Sequence, residues 1–284
     1  MKRPGWWVLL LLGLGCGPIG LMTVNTLARF GGYEVERGLP YGREATQRVD
    51  VYRPREAVDA PVVVFFHGGS WTRGSRADYT FVGEALTSQG FVVVIPDYRK
   101  FPEVTFPRFV EDGAEAVIWA RARARELGGD PERLFVMGHS SGAHIAALLA
   151  LDRHYLESRI PEEQILRGMI GLAGPYDFNA RREDIRPIFV GVPYRATQPI
   201  EFAGDAGSLP LLLLHGEADQ TVFKKNTVNL ARAVRDAGGD VRTGFYPDCD
   251  HTQLLAALSI PMRGRWPVLA DVAAFIRDPE SPAP

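Results

Sequence analysis

Residues 134–150 read LFVMGHSSGAHIAALLA, and this stretch predicts a strand, a tight turn and a helix in direct succession. The turn has the pattern Gly-x-Ser-x-Gly, with Ser140 at its centre between Gly138 and Gly142. So tight a turn needs small residues on either side of the serine, and glycine also adopts backbone angles that are costly for other residues. The serine oxygen would stand clear of the sheet edge, beside a helix N-terminus that favours negative charge. The pattern and its flanks therefore predict that Ser140 is a nucleophile.

Composition limits the fold and its partners. The chain has 284 residues, of which 46% are hydrophobic and 23% charged. This suffices for one large core and predicts a single catalytic domain over residues 29–284. The formal net charge of −2 at pH 7 gives no basic field for nucleic acid. Cys16 and Cys249 form no disulfide framework and have no metal-ligand spacing, so we expect no metal and no cofactor.

Residues 1–28 predict an export signal or a membrane anchor. Lys2 and Arg3 precede an uncharged stretch that runs to Ala28, and a positive start followed by an apolar stretch is typical of both. About 20 apolar residues span a bilayer, and the positive-inside rule would leave the catalytic body on the extracytoplasmic side. Lipidation of Cys16 is a weaker alternative, because the second and third residues before it depart from a bacterial lipoprotein box. A buried N-terminal helix is another alternative.

Hydrophobic patterning predicts a mostly parallel, doubly wound sheet. Residues 33–37 and 47–52 alternate between apolar and polar positions, as half-buried strands do. Five later runs are apolar without alternation, which is typical of strands covered on both faces. These runs lie at 62–66, 91–95, 134–137, 169–172 and 211–214, with helical stretches near 78–89, 107–127, 141–151 and 223–237, a last strand at 241–246 and a closing helix at 266–277. The alternation of strands and helices favours right-handed βαβ units in an α/β fold.

Residues 178–208 interrupt this alternation. The segment is rich in Arg, Pro and Gly and stands between two strand candidates. A long irregular insertion in a compact domain is usually a functional lid or a disordered segment. We expect a short cap over the active site.

The base is predicted from chain order. A strand, a Gly-x-Ser-x-Gly turn and a helix form the nucleophile elbow of the α/β-hydrolases, whose triad follows in the order Ser, Asp, His. Ser140 is a poor nucleophile unless a histidine takes its proton and an acid orients that histidine. Of the six histidines, only His251 lies in a late loop after the last strand candidate. His251 is therefore the predicted base, and an ordinary surface histidine is the alternative interpretation.

The predicted acid is Asp219. It lies in the loop after the apolar run 211–214 and before His251, as the chain order requires. Glu217 comes two residues too early, and Asp250 adjoins His251 too closely to point at its ring. A solvated loop carboxylate is the alternative interpretation of Asp219.

An oxyanion hole is predicted directly after the run 62–66, where the chain reads HGGSW at 67–71. Glycines allow backbone N–H groups to approach a ligand oxygen closely. We expect donors from Gly68, Gly69 or Ser70, together with the N–H of Ser141 at the start of the elbow helix. A plain Gly-Gly turn is the alternative.

Several stretches are similar to those of a known family. They read VDVYRP at 49–54, HGGSW at 67–71, PDYR at 96–99, GDPER at 129–133 and GHSSGAH at 138–144. From about residue 41 to 277, the chain resembles the carboxylesterase branch of the α/β-hydrolases. It is similar to isoprenylcysteine methylesterase-like proteins and, somewhat less, to kynurenine formamidases. The resemblance implies ester hydrolysis by a triad of Ser140, Asp219 and His251.

The predicted function is that of a metal-free serine esterase. Its substrate would be a small-molecule ester, and the predicted membrane attachment suggests a hydrophobic one. Trp71 and Tyr98 are the candidates for lining the pocket, with Phe178 and Phe223 as further apolar candidates. An amidase or formamidase would use the same residues. A non-catalytic binding module of the same fold would lack a triad member, and none is missing from this sequence.

Overall fold

The computed structural model describes residues 18–157 and 165–280. Residues 1–17, which include Cys16 and most of the predicted leader, lie outside the described residues. The end of the leader forms helix α1 (Pro18–Ala28), where the Asn25 amide donates to the Asp78 carbonyl at 2.7 Å and accepts from the Phe81 N–H at 3.1 Å. In the described part of the chain, no helix is long and apolar enough to cross a membrane.

Eight strands form one mostly parallel sheet in the order β1-β2-β4-β3-β5-β6-β7-β8. The strands are β1 (Tyr33–Pro40), β2 (Arg48–Pro54), β3 (Ala60–Phe66), β4 (Val92–Pro96), β5 (Gly129–His139), β6 (Gly168–Leu172), β7 (Leu211–Gly216) and β8 (Val241–Tyr246). β2 pairs antiparallel with both β1 and β4, and the other pairings are parallel. The predicted α/β fold is confirmed, and the largest difference in bounds is that β5 begins at Gly129 rather than at 134.

Helices cover both faces of this sheet. They are α2 (Thr80–Thr87), α3 (Arg108–Arg123), α4 (Ser141–Leu151), α5 (His154–Glu157), α6 (Lys225–Asp236), α7 (His251–Ala256) and α8 (Val268–Arg277). The helix predicted at 78–89 is shorter, because a 3₁₀ turn at Arg76–Tyr79 precedes α2. The Ser75 side chain caps this turn by accepting from the Ala77 N–H, which satisfies a donor that the turn itself leaves unpaired.

Two cores, one on each face, explain the apolar runs without alternation. In β3, Val62, Val64 and Phe66 belong to the core beneath α3 and α4, whereas Val63 and Phe65 belong to the core on the opposite face. All five side chains are completely buried. Burying one such side chain stabilises the fold by about 1.5–3 kcal/mol relative to leaving it exposed. The parallel strands β3, β5 and β7 therefore end at one edge of a rigid sheet, and the loops that follow them meet there.

The segment predicted to be a cap lies between β6 and β7. It contains three 3₁₀ turns, at Arg186–Phe189, Tyr194–Thr197 and Pro199–Asp205. His144 of α4 hydrogen-bonds through Nε2 to the Thr197 carbonyl at 2.9 Å. The side-chain oxygen of Gln198 accepts from the Phe178 N–H at 2.9 Å. The first bond ties the segment to the helix that follows Ser140, and the second joins two parts of the segment to each other.

Candidate active site

Ser140 occupies a strained turn between β5 and α4. Its φ of 55° and ψ of −124° are values that residues other than glycine rarely adopt. The turn has no room for larger flanking residues: a Cβ on Gly138 would lie 2.2 Å from the Gly142 carbonyl oxygen, and one on Gly142 would lie 2.0 Å from that of Phe66. The two glycines are therefore required sterically, and Ser140 stands at the N-terminal end of α4.

Asp219 and His251 form a buried, hydrogen-bonded pair at the same sheet edge. His251 Nδ1 lies 2.7 Å from Asp219 Oδ2, and the two residues are 8% and 4% exposed. Asp219 Oδ1 accepts from the backbone N–H groups of Thr221 at 2.8 Å and Val222 at 2.9 Å. Burial alone would raise the pKa of Asp219, but the His251 ring and these N–H groups outweigh it and lower the pKa. An ionised Asp219 therefore accepts the Nδ1–H of His251, which leaves Nε2 free to take a proton.

The two neighbouring carboxylates that compete for the role of acid have other partners. Glu217 forms an exposed ion pair with the Lys224 ammonium at 2.7 Å. Asp250 caps α7 by accepting from the N–H groups of Thr252 and Gln253 at 2.9 and 2.8 Å. Neither carboxylate is hydrogen-bonded to the His251 ring, whereas Asp219 is.

The loop after β3 approaches the elbow closely. A Cβ on Gly68 would lie 3.2 Å from Ser140 Cβ and 3.1 Å from the His139 carbonyl oxygen. Gly69, Ser70 and Trp71 have φ of 132°, 53° and 58°. This run of positive φ values turns the backbone sharply, and the N–H groups of Thr72 and Arg73 close the turn by donating to the Gly69 carbonyl at 3.1 Å each. The Gly68 backbone therefore lies against Ser140, and the oxyanion donors of this loop stay a prediction.

The structure corrects the prediction that Tyr98 lines the pocket. It is completely buried, and it does not belong to the lining of the cavity beside Ser140. Its hydroxyl donates to the His67 carbonyl at 2.8 Å, and its ring stacks on the His67 ring at 4.6 Å. Burial raises the pKa of this phenol, so it remains a neutral donor. Tyr98 therefore supports the loop after β3 from beneath and does not line the cavity beside Ser140.

A cavity of about 270 Å³ opens beside Ser140. The apolar part of its lining comprises Trp71, Pro175, Phe178, Ile185, Val222 and Phe223, and the polar part includes Ser70, Ser141, Asp177, Asn179, Arg182, Asp184, Thr221, Lys225 and Asn226. Trp71 is 4% exposed and stacks on Phe178 of the cap with 5.7 Å between ring centroids. The cap therefore forms one wall of the cavity, and the loop after β7 forms another.

Four lining residues from the cap were not anticipated: Asn179, Arg182, Asp184 and Ile185. Arg182 pairs with Asp184 at the surface, and nothing in an irregular Arg-rich segment distinguishes such a pair from solvated charge. Lys225 and Asn226, at the start of α6, were also missed. Within residues 18–157 and 165–280, no group of three or more His, Cys, Asp or Glu side chains is arranged to hold a metal ion.

The fold and the site together define the class. A mostly parallel sheet with a serine on a strained strand-to-helix turn, followed along the chain by an Asp–His pair at the same edge, is an α/β-hydrolase. The chain belongs to the BD-FAE family, whose model matches residues 49–234. The resemblance stated from the sequence is thereby confirmed.

Several curated relatives are named esterases. The isoprenylcysteine alpha-carbonyl methylesterase of Arabidopsis thaliana is 30% identical to this chain, covering 91% of the chain and 66% of the relative. Esterase LipC of Mycobacterium tuberculosis is 32% identical, covering 66% of this chain and 52% of the relative. The chain thus spans two thirds or less of the length of these relatives. Among solved structures, Thermogutta terrifontis esterase 2 phosphoramylated by tabun superposes with a TM-score of 0.71 at 25% identity, covering 89% of this chain and 97% of the other.

Proposed function

We propose that this protein hydrolyses carboxylic esters through an acyl-enzyme on Ser140. The observation that carries the proposal is the buried Asp219–His251 pair, 2.7 Å apart, at the sheet edge where the strained elbow presents Ser140. The esterase names of the relatives support the same reaction class.

His251 acts first as a base and then as an acid. As Ser140 Oγ attacks the ester carbonyl, His251 Nε2 takes the hydroxyl proton, and it then gives that proton to the departing alcohol. Water attacks the acyl-enzyme in the second half of the cycle, with His251 again as the base. Asp219 holds the Nδ1–H tautomer and stabilises the imidazolium that forms in each half. Because the acid is ionised and buried, its field on the imidazolium is little screened by solvent.

The negative charge on the attacked carbonyl oxygen is stabilised by peptide N–H groups. Ser141 supplies one from the first turn of α4, where the helix dipole adds to the effect. Gly68, Gly69 or Ser70 supplies another from the loop that lies against the elbow. Such donors are fixed before the reaction, so they stabilise the transition state without reorganising.

The cavity suggests a hydrophobic ester of moderate size. Its volume of about 270 Å³ is near the lower end of the roughly 300–1,000 Å³ that is usual for small-molecule sites. Trp71, Phe178 and Ile185 on one side and Val222 and Phe223 on another favour an apolar group there. The Arabidopsis relative is named an isoprenylcysteine alpha-carbonyl methylesterase, and a methyl ester of an isoprenylcysteine joins an apolar group to a small alcohol.

A formamide or amide is the second candidate substrate. The kynurenine formamidase of Danio rerio is 24% identical over 78% of this chain, and the same three residues would carry out that reaction. Turnover of N-formylkynurenine measured beside that of p-nitrophenyl esters decides between the two. Ester turnover that exceeds formamide turnover supports the proposal, and the reverse order contradicts it.

Export or membrane attachment of the N-terminus belongs to the same proposal. Support comes from Lys2 and Arg3 ahead of an uncharged stretch that ends at Ala28. Fractionation of cells that express the full chain tests it. Sedimentation with membranes, or release into the extracytoplasmic fraction, is expected. Recovery of the active protein only from the cytoplasmic fraction would contradict it.

The direct test of catalysis is covalent labelling. A fluorophosphonate probe should label the folded protein at a single site, and mass spectrometry should place the adduct on Ser140. A folded protein that turns over no ester and takes up no probe would favour the non-catalytic binding module instead.

A further inference from the structure

We propose that His139 is a positioning residue that holds the His251 imidazole against the nucleophile elbow. The inference rests on the proposed function, in which His251 is the base. His139 is the variable residue before Ser140, where the elbow pattern accepts any residue type. It is 6% exposed, and the reaction steps described above leave it without a role.

One nitrogen of His139 is bonded to the backbone of the base. His139 Nε2 lies 3.0 Å from the His251 carbonyl oxygen. A carbonyl oxygen only accepts, so Nε2 must carry the proton and donate it. The residue before the nucleophile and the base are thus joined by a hydrogen bond that spans 112 positions of the chain.

The ring of His139 also restricts the ring of the base. The two imidazole centroids are 4.6 Å apart, with 41° between the ring planes. On its other side, His139 Nδ1 would lie 3.2 Å from a Cβ on Gly68. His139 therefore stands between the loop that carries His251 and the loop that carries the predicted oxyanion donors. A side chain in this place limits the rotation of His251 about the bond to Asp219.

The charge state of His139 suits this role. Burial, and the positive charge that His251 can carry, lower the pKa of His139 to about 3. The ring is therefore neutral wherever His251 must accept a proton. The other titratable groups near it are Asp219, which favours a charge on His139, and His215, which opposes it. A neutral donor positions His251 without placing a second cation beside the imidazolium.

The first test is made on the wild-type chain and needs no variant. In protein labelled with ¹⁵N-histidine, NMR of the imidazole nitrogens assigns the tautomer of each ring. His139 is expected as the Nε2–H tautomer and His251 as the Nδ1–H tautomer at pH 7. An Nδ1–H tautomer at His139 would overturn the proposal, because that ring cannot donate to the His251 carbonyl.

The second test compares substitutions. His139→Phe keeps a ring but removes the donor, and a misplaced base is expected to lower kcat by up to about 100-fold with KM little changed. His139→Gln restores an N–H donor at similar reach and is expected to recover most of the activity. The rate constant for fluorophosphonate labelling of Ser140 should follow kcat through this series.

His144→Phe is the matched control. His144 is another buried imidazole bonded to a backbone carbonyl, that of Thr197 at 2.9 Å, but its ring contacts Trp71 and Phe178 rather than His251. It is expected to change stability and KM more than kcat. Equal kcat losses in His139→Phe and His144→Phe, or wild-type labelling rates in His139→Phe, would overturn the inference while leaving the proposed function intact. A wild-type protein without labelling or ester turnover would instead contradict the proposed function.

Discussion

His251 Nδ1 and Asp219 Oδ2 are 2.7 Å apart, although 32 positions separate the two residues along the chain. Asp219 lies in the loop that follows β7. Its carboxylate also accepts hydrogen bonds from the backbone N–H groups of Thr221 and Val222. This geometry fixes which nitrogen of His251 carries the proton in the resting state. It also means that removing the charge of Asp219 should affect the chemistry far more than the shape of the site.

Asp219→Asn is expected to lower kcat by roughly 10⁴-fold, because an amide favours the wrong tautomer of His251 while preserving the local shape. Steady-state hydrolysis of p-nitrophenyl butyrate measures this. Glu217→Gln is the matched control: it neutralises a carboxylate on the same loop that pairs with Lys224 rather than with His251, and its kcat should match that of the wild type. Similar kcat values for the two variants would show that Asp219 is not the orienting acid.

Gly69→Ala should displace the predicted oxyanion donors of the loop that follows β3. Gly69 has a φ of 132°, and a Cβ there would lie 2.1 Å from the Arg73 carbonyl oxygen, so the turn must move. Displacing one N–H donor typically lowers kcat by about 10²–10³-fold. Gly238→Ala is the control, since Gly238 also has a positive φ, of 81°, but faces open space. That variant should lose stability only, and an equally active Gly69→Ala would argue against a role for this loop.

Phe178→Ala should change which esters are preferred. Phe178 stacks on Trp71 and lines the cavity, so truncation enlarges the space beside Ser140. Across p-nitrophenyl esters from acetate to decanoate, the wild type should peak at a moderate acyl length and the variant at a longer one. Val190→Ala, an exposed change in the same cap segment, should leave the profile where it is. If Phe178→Ala has the same dependence on acyl length as the wild type, the acyl group does not bind beside Phe178.

Lowering the pH should begin to destabilise the fold at pH values well above those at which carboxylates titrate. Burial lowers the pKa of His144 from its usual 6.5 to about 4, so below pH 6.5 the unfolded chain binds a proton that the folded chain does not. The contribution of neutral His144 to the free energy of unfolding is therefore complete above pH 6.5. It decreases between pH 6.5 and pH 4, by up to about 1.4 kcal/mol per pH unit. Urea unfolding of wild type and His144→Phe between pH 7.5 and 5 measures the difference, and a steeper fall in the variant than in the wild type would contradict the assignment.

Much of the site could be predicted because it depends on chain order and on backbone geometry. The Gly-x-Ser-x-Gly turn after a buried run specifies a strained elbow, whose glycines the structure shows to have no room for a side chain. Parallel strands put the loops that follow them at one edge, so Asp219 and His251 could be selected from their positions after β7 and β8. The fold itself followed from runs without alternation, which the two buried cores explain.

The wrong or missing predictions concern the direction of side chains. Tyr98 follows a buried strand just as Trp71 does, and no local pattern indicates that its hydroxyl is bonded to the His67 carbonyl, 31 positions away. The cap residues that line the cavity belong to a segment of 3₁₀ turns without hydrophobic periodicity. The contact of His139 with His251 joins parts of the chain 112 positions apart, and only the folded sheet brings them together.

The central claim is that Ser140 carries the acyl group, and the turnover of Ser140→Ala tests it most directly. Hydrolysis of p-nitrophenyl butyrate is measured for this variant and for Ser88→Ala, which removes a hydroxyl just after α2 that donates to the Ala85 carbonyl and accepts from the Gln89 side-chain amide. We predict that Ser140→Ala loses turnover by roughly 10⁶-fold or to the detection limit, together with the fluorophosphonate adduct, while Ser88→Ala keeps both. Wild-type turnover in a folded Ser140→Ala protein would contradict the proposed mechanism.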